Sequence, residues 1–154
     1  MLEDIIHIRA AKVSDLSSVL SIEEQSFETE KFSFRQFKYL LNKSNGFFLV
    51  ASIDNRIAGY LILLKRKGSK FLRIYSLATE TEFRGLGVAQ KLLENAERIA
   101  RKEGIEFLSL EVSQNNTKAI SLYKKSGFEE KRVILNYYNQ GNHALALSKR
   151  LACK

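Results

Sequence analysis

The stretch Glu82–Lys102, EFRGLGVAQKLLENAERIARK, decides how the rest of the chain is read. Two glycines, Gly85 and Gly87, open directly onto an amphipathic run. Ala89, Leu92, Leu93, Ala96, Ile99 and Ala100 recur at helical spacing. Glu94–Arg98 and Glu97–Arg101 make i,i+4 pairs on the wet side, and Gly104 ends the helix. A glycine turn presents bare backbone N–H groups, and a helix start adds partial positive charge. The stretch is therefore a candidate anion cradle.

Working outward, the flanks give its setting. GFFLVASI (46–53) and RIAGYLILL (56–64) surround Asp54–Asn55 and read as a hairpin. RKGS (66–69) reads as a turn and KFLRIYSLAT (70–79) as a third strand, which completes an antiparallel meander. Earlier, IIHIRA (5–10) reads as a strand. KVSDLSSVLSIEEQSF (12–27) follows as a helix with Ser14 as its cap, and Phe34–Leu41 as a second helix capped by Ser33. Downstream, IEFLSLEV (105–112) is a strand. NNTKAISLYKKSG (115–127) is a short helix with asparagine at its cap and Gly127 just past its end. FEEKRVILNYY (128–138) and HALALSKRL (143–151) are the last strands. With no linker, repeat or low-complexity tract, residues 1–154 read as a single α+β domain. Its mixed sheet is mainly antiparallel, with one β–α–β crossover in the middle.

Composition excludes several classes. The chain has 154 residues, 45% hydrophobic and 27% charged, as in an ordinary globular protein. No apolar run approaches the ~20 residues of a membrane span. MLEDIIHIRA lacks the basic-then-apolar layout of a signal peptide, and the single cysteine, Cys153, suits a reducing compartment, so a cytoplasmic location is expected. His7 and His143 are far apart in sequence with no neighbouring ligand residues, so no metal site is expected. The net charge of +8 favours acidic partners, but no like-charge block exceeds three residues, so no nucleic-acid stripe is visible.

Three phosphate cradles compete for the glycine turn. An ATP-type loop needs a lysine–hydroxyl pair that does not follow Gly87. A dinucleotide fingerprint fits less well, because GLGVAQ puts Gln90 where helix–strand packing wants a small residue and an antiparallel meander precedes the turn. Glu111 does end the next strand, as a ribose-binding acid would. The third is R-x-x-G-x-A, met by Arg84, Gly87 and Ala89. A plain strand–turn–helix connection is the structural alternative to all three.

In R-x-x-G-x-A the sequence resembles the GNAT superfamily, the GCN5-related N-acetyltransferases. The collinear motifs L-E-V (110–112), N-x-x-A-x-x-L-Y (116–123) and G-F (127–128) extend that resemblance over nearly the whole chain. The stretch Leu110–Tyr138 is similar to RimI-type ribosomal-protein alanine acetyltransferases and archaeal protein N-terminal acetyltransferases. The resemblance implies a GNAT fold of about seven strands and about four helices with a splayed central strand pair. It also implies acetyl-CoA as cosubstrate and CoA as product. Arg84, Gly85, Leu86, Gly87, Val88 and Ala89 would hold the pyrophosphate, Asn116 would contact the coenzyme, and the backbone of Leu77, Ala78 and Thr79 would pair with its pantetheine arm. A backbone N–H near Leu77 would polarise the thioester carbonyl.

Acetyl transfer needs a neutral amine, a polarised carbonyl and a proton for the leaving thiolate. The resemblance assigns the base role to Glu111, which period-2 alternation places with Phe107 and Ser109 on one strand face, opposite Leu108, Leu110 and Val112. On pattern alone Glu111 is also a strand-end surface glutamate. An ordinary carboxylate, at pKa ~4.3, needs help for this task, such as a relaying water. The resemblance likewise assigns Tyr123 the acid role near the coenzyme sulfur, and a phenol of pKa ~10 stays protonated at neutral pH, as a donor must; the structural alternative is a packed aromatic. Asn116 serves equally well as a helix cap.

The acceptor wall implied by the resemblance comprises SFETEKF (26–32) and NYYNQGNH (136–143). Phe27, Tyr137 and Tyr138 would clamp a peptide, and Glu28 or Glu30 would meet its positive N-terminus. Glu28 stands where the family often has proline. An α-amine of pKa ~7.7–8.0 is neutral far more often than lysine at ~10.4, which favours N-terminal acceptors. The expected activity is N-terminal α-acetylation of a protein or peptide, with possible partners at the ribosome and none in membranes or nucleic acid. Acetylation of lysine or small amines, and a non-catalytic coenzyme-binding module, are the alternatives.

Overall fold

The computed structural model describes residues 5–26, 33–43 and 45–151. Seven strands form one sheet in the order β1-β2-β3-β4-β5-β7-β6. They are β1 (His7–Ala10), β2 (Gly46–Ile53), β3 (Arg56–Lys65), β4 (Phe71–Thr79), β5 (Phe107–Ser113), β6 (Glu129–Asn139) and β7 (Asn142–Arg150). Four α-helices accompany them: α1 (Leu16–Ser26), α2 (Phe34–Leu41), α3 (Val88–Lys102) and α4 (Thr117–Lys125). The β2–β3 hairpin turns at Asp54 and Asn55, whose φ values of 49° and 65° are those of a primed two-residue turn. Among the described residues β4–α3–β5 is the one parallel crossover. β7 inserts between β5 and β6, so the last hairpin closes back onto the crossover.

Period-2 alternation sorts the sheet into two apolar faces. On one, Leu61, Leu63, Leu72, Ile74, Leu108, Leu110 and Val112 pack under α3 and α4, against Leu92, Leu93, Ala96 and Tyr123. On the other, Val50, Tyr60 and Ile62 meet Leu16, Val19, Ile22, Phe37 and Leu40 of α1 and α2. Phe37 sits edge-on to Tyr60, ring centres 5.7 Å apart. Ser33 caps α2 as expected: its hydroxyl accepts the Gln36 N–H at 3.2 Å, and the Gln36 side chain accepts the Ser33 N–H at 2.7 Å.

Two local expectations change. Ser14 does not cap α1. A short 3-10 turn, Val13–Asp15, precedes the helix, and the Asp15 carboxylate takes the Lys12 N–H at 2.8 Å while Arg9 donates to both its oxygens at 2.7 and 2.9 Å. A carboxylate has the charge and the second oxygen to take the amide and both arms of the guanidinium together, and a hydroxyl has neither. The Arg9 hydrogen bonds hold the Asp15 carboxyl below its usual range, against the opposing effect of burial. On α3, Glu97 pairs with Arg101 at 3.4 Å and with Lys149 at 3.0 Å, but no ion pair joins the exposed Glu94 and Arg98 among the described residues. An exposed pair gains little over hydration.

Candidate active site

The parallel pair β4–β5 is joined only at Phe71↔Phe107, Leu72↔Leu108 and Arg73↔Ser109. Beyond Arg73 each strand keeps only its outer partner, β4 pairing with β3 to Thr79 and β5 with β7 to Ser113. The closed end is fastened by Phe71 stacked on Phe107, centres 4.8 Å apart. Just past it Tyr75 is an extra residue in β4, since Ile62 pairs with Ser76 and Leu63 with Ile74. Such a bulge increases local twist and turns the strand away from its neighbour. The expected splayed pair is therefore present, and it leaves backbone donors and acceptors facing the gap.

A groove of about 570 Å³ runs along the α3–α4 side of the gap. Of the residues expected at the coenzyme, it brings together Leu77, Ala78, Thr79, Arg84, Gly85, Gly87, Val88, Ala89, Asn116 and Tyr123. Leu86 turns away and packs against the α3-side core. Gly85 and Gly87 have φ values of 83° and 88°, and a Cβ on either would meet nothing within 4 Å, so the bend is open. The first intrahelical bond of α3 runs from Lys91 N–H to the Gly87 carbonyl at 3.0 Å. The preceding N–H groups of Val88, Ala89 and Gln90 therefore have no partner within the helix. Main-chain donors, the Arg84 guanidinium and a helix N-terminus make a surface suited to a diphosphate.

The groove also holds residues that motif reading missed: Gln25 and Ser26 from α1, Gln90 from α3, and Lys118 and Leu122 from α4. Gln90 had a local signal, since it is the third residue of the helix after the cradle. Gln25 had none. It reaches across the fold, donating to Glu80 at 3.2 Å and accepting the Thr81 N–H at 3.3 Å, so it ties the end of α1 to the turn before the cradle.

Asn116 does cap α4, its Oδ1 accepting the Ala119 N–H at 3.1 Å, while also lining the groove. About two turns on, Tyr123 is only 7% exposed and sits edge-on to Phe128, centres 5.6 Å apart. Burial, and secondarily Tyr138, push its phenol above the usual range, so it keeps its proton throughout the neutral and mildly alkaline range.

The opposite face is built from side chains. Glu111 stands on β5 with Phe107 and Ser109, away from the buried Leu110 and Val112. Its carboxylate lies 2.9 Å from Nη2 of Arg73, which in turn donates to the Tyr137 hydroxyl at 2.8 Å. Sequence reading passed over Arg73, because nothing in a β-strand pattern tells which side chain will reach across a gap. Tyr137 meets Tyr138 edge-to-face, centres 4.9 Å apart. Desolvation first, then the Glu111 charge, raise the Tyr137 phenol above its usual value, against the pull of Arg73. Phe27, Glu28 and Glu30 lie outside the described residues, as does Cys153.

Behind this face, Tyr60 donates to the Glu23 carboxylate, which is 1% exposed, and shares a 2.9 Å hydrogen bond with Ser76. α1, β3 and the strand beyond the bulge are thereby pinned together. His143 is engaged locally, its Nδ1 accepting the Asn136 N–H at 2.9 Å. No three His, Cys, Asp or Glu gather among the described residues.

The family model described as Acetyltransferase (GNAT) family matches residues 14–128. The chain is 30% identical, over 94% of its length and 92% of the relative's, to an N-alpha-acetyltransferase of Sulfurisphaera tokodaii. The structure of Ard1 from Thermoplasma volcanium superposes with a TM-score of 0.87 at 25% identity, covering 97% of this chain and 99% of that one. The ribosomal-protein-S18-alanine N-acetyltransferase of Escherichia coli shares the fold, with a TM-score of 0.84 at 22% identity over 97% and 96%.

Proposed function

Because the chain belongs to the GNAT acetyltransferase family, we propose that it transfers the acetyl group of acetyl-CoA to the α-amino group of a protein N-terminus. The observation that carries the reading is the parting of β4 from β5 beyond Arg73, with the glycine cradle and Tyr123 on one side and Glu111 on the other. The open bend, the unpartnered helix N–H groups and the unpaired β4 flank fit the diphosphate and amide groups of that cosubstrate, whose thioester supplies an activated acyl carbon.

The chain's own residues then divide the work. Arg84 and the amides of Val88, Ala89 and Gln90 hold the diphosphate. The open side of β4 from Leu77 to Thr79 pairs with the pantetheine amides, and a backbone N–H near Leu77 polarises the thioester oxygen. Glu111 accepts the proton of the attacking amine, directly or through a water. Tyr123, held protonated by its surroundings, donates to the sulfur as the C–S bond breaks. An N-terminal amine suits this arrangement, because its pKa of ~7.7–8.0 asks less of a carboxylate base than lysine's ~10.4. In this reading the enzyme works in the cytoplasm on newly made N-termini, with ribosomal proteins among its acceptors.

The test is release of free thiol from acetyl-CoA in the presence of paired peptides. One has a free N-terminus and no lysine; the other is N-terminally blocked and bears lysine. Only the first is expected to react, and Glu111→Gln is expected to lower its kcat/KM about 100-fold. Equal or faster use of the blocked peptide overturns the N-terminal assignment.

A further inference from the structure

Arg73 occupies an unusual position. It is the last β4 residue in register with β5, so its side chain leaves from the apex of the gap, on the face that carries Glu111. Its guanidinium lies over the Tyr75 ring, 5.3 Å from the centre. Among the described residues both of its polar contacts fall on one nitrogen: Nη2 serves the Glu111 carboxylate at 2.9 Å and the Tyr137 hydroxyl at 2.8 Å. Nε is buried with no hydrogen-bond partner among the described residues. A guanidinium carries five N–H donors in a planar fork that matches a carboxylate two bonds at a time. This one is fixed in place by strands β4, β5 and β6 and is underused.

An acceptor amine that reaches Glu111 enters as a cation, or leaves a proton there, and either event weakens the carboxylate's hold on Arg73. The Arg73 side chain is 39% exposed, so water meets part of its charge, and an anion brought alongside takes up the donors that Glu111 releases. An acceptor that carries its own carboxylate a few bonds from the amine exchanges one ion pair for two. A neutral acceptor leaves Arg73 uncompensated, and a cationic one adds repulsion.

We propose that Arg73 is a specificity-determining residue of the acceptor site and selects amines with a neighbouring carboxylate, above all protein N-termini bearing Asp or Glu within the first two residues. The inference rests on the N-terminal reading above. The chain's charge of +8 acts in the same direction, drawing acidic segments toward the surface.

The experiment uses the full chain, acetyl-CoA and peptides that differ only at residue two (Asp, Asn or Lys), with free aspartate as a further arm. Wild type is expected to favour Asp over Asn by about tenfold in kcat/KM, chiefly through KM, and to rank Lys last. Arg73→Gln is expected to bring the Asp/Asn ratio to about one, and Arg73→Lys to restore part of it, because a point charge replaces a fork. The ratio controls for any general loss of activity caused by releasing Glu111. In wild type alone it should fall severalfold between about 0.05 and about 0.5 M salt, so a poorly folding variant does not shield the idea. A wild-type ratio near one, or a ratio that survives both salt and Arg73→Gln, overturns the proposal. Peptides acetylated without preference reject this inference alone. Transfer to free aspartate but to no peptide keeps the role of Arg73 and rejects the N-terminal reading. No transfer to either rejects both.

Discussion

The two faces of the parted strands offer different means of recognition. The α3–α4 side combines side chains such as Arg84, Asn116 and Tyr123 with a bend of main chain and small residues: Gly85, Gly87, Ala89, the first amides of α3 and the flank of β4. The opposite face is a mesh of side chains, in which Arg73, Glu111 and Tyr137 come from three strands. Main-chain recognition is fixed by where the backbone bends, so it tolerates neighbours of many kinds and should respond to changes in backbone geometry. Side-chain recognition depends on charge and reach, and should respond to single atoms.

Tyr123, which lines the first wall and is the proposed acid of the reaction, should give the largest effect. Tyr123→Phe is expected to lower kcat by about 10²- to 10⁴-fold while the Kd for CoA, measured by calorimetry, changes less than about threefold. Equal losses in both would make Tyr123 a packing residue of the coenzyme wall. Gly87→Val comes next. A β-branched residue at φ 88° costs ~1–3 kcal/mol, and its side chain enters the open bend, so the Kd for CoA should rise about 10- to 100-fold. The acceptor preference, expressed as a ratio between peptides, should not move; if it does, the two walls are not independent.

The double duty of Asn116 separates with two substitutions. Asn116→Ala removes the cap of α4 and should cost ~1 kcal/mol in urea unfolding. Asn116→Asp keeps a cap but places a negative charge in the groove, so stability should hold while coenzyme affinity falls about threefold. A control outside both walls should show no change in turnover at neutral pH. The Asp15 carboxyl is depressed in the folded state, chiefly by Arg9, relative to an unfolded value of ~3.9. Its contribution to stability is therefore complete above that unfolded value and is lost as pH falls through the folded one. Asp15→Asn should flatten this acid limb, seen as urea midpoints compared at about pH 6 and about pH 3.

The first wall was legible in the sequence because glycine spacing and helix starts are local signals. R-x-x-G-x-A gave the cradle, and strict alternation in β5 put Glu111 on the correct face. The family resemblance supplied the gap between β4 and β5, which no side-chain pattern announces, since it is an absence of pairing over a run of ordinary apolar residues. Arg73 escaped notice for the same kind of reason. In β4 it reads as a polar residue in an alternating strand, and its role arises only because the bulge at Tyr75 and the returning β7–β6 hairpin bring Glu111 and Tyr137 within its reach. Gln25 needed a contact 55 residues away to declare itself. Ser14 failed as a cap because a nearby carboxylate outcompeted a hydroxyl, and sequence showed both without ranking them.

The unpaired flank of β4 makes this a sheet with one rung row left unmade. Any molecule that completes those rungs acts as a borrowed strand, and by mass action it stabilises the fold by ~2.7 kcal/mol when present at a hundred times its dissociation constant. Amide protons along that flank should exchange with solvent quickly in the free protein and slowly once the borrowed strand is in place. On the proposed reading that strand is the cosubstrate, and the lifetime of the folded enzyme is then tied to the supply of the compound it consumes.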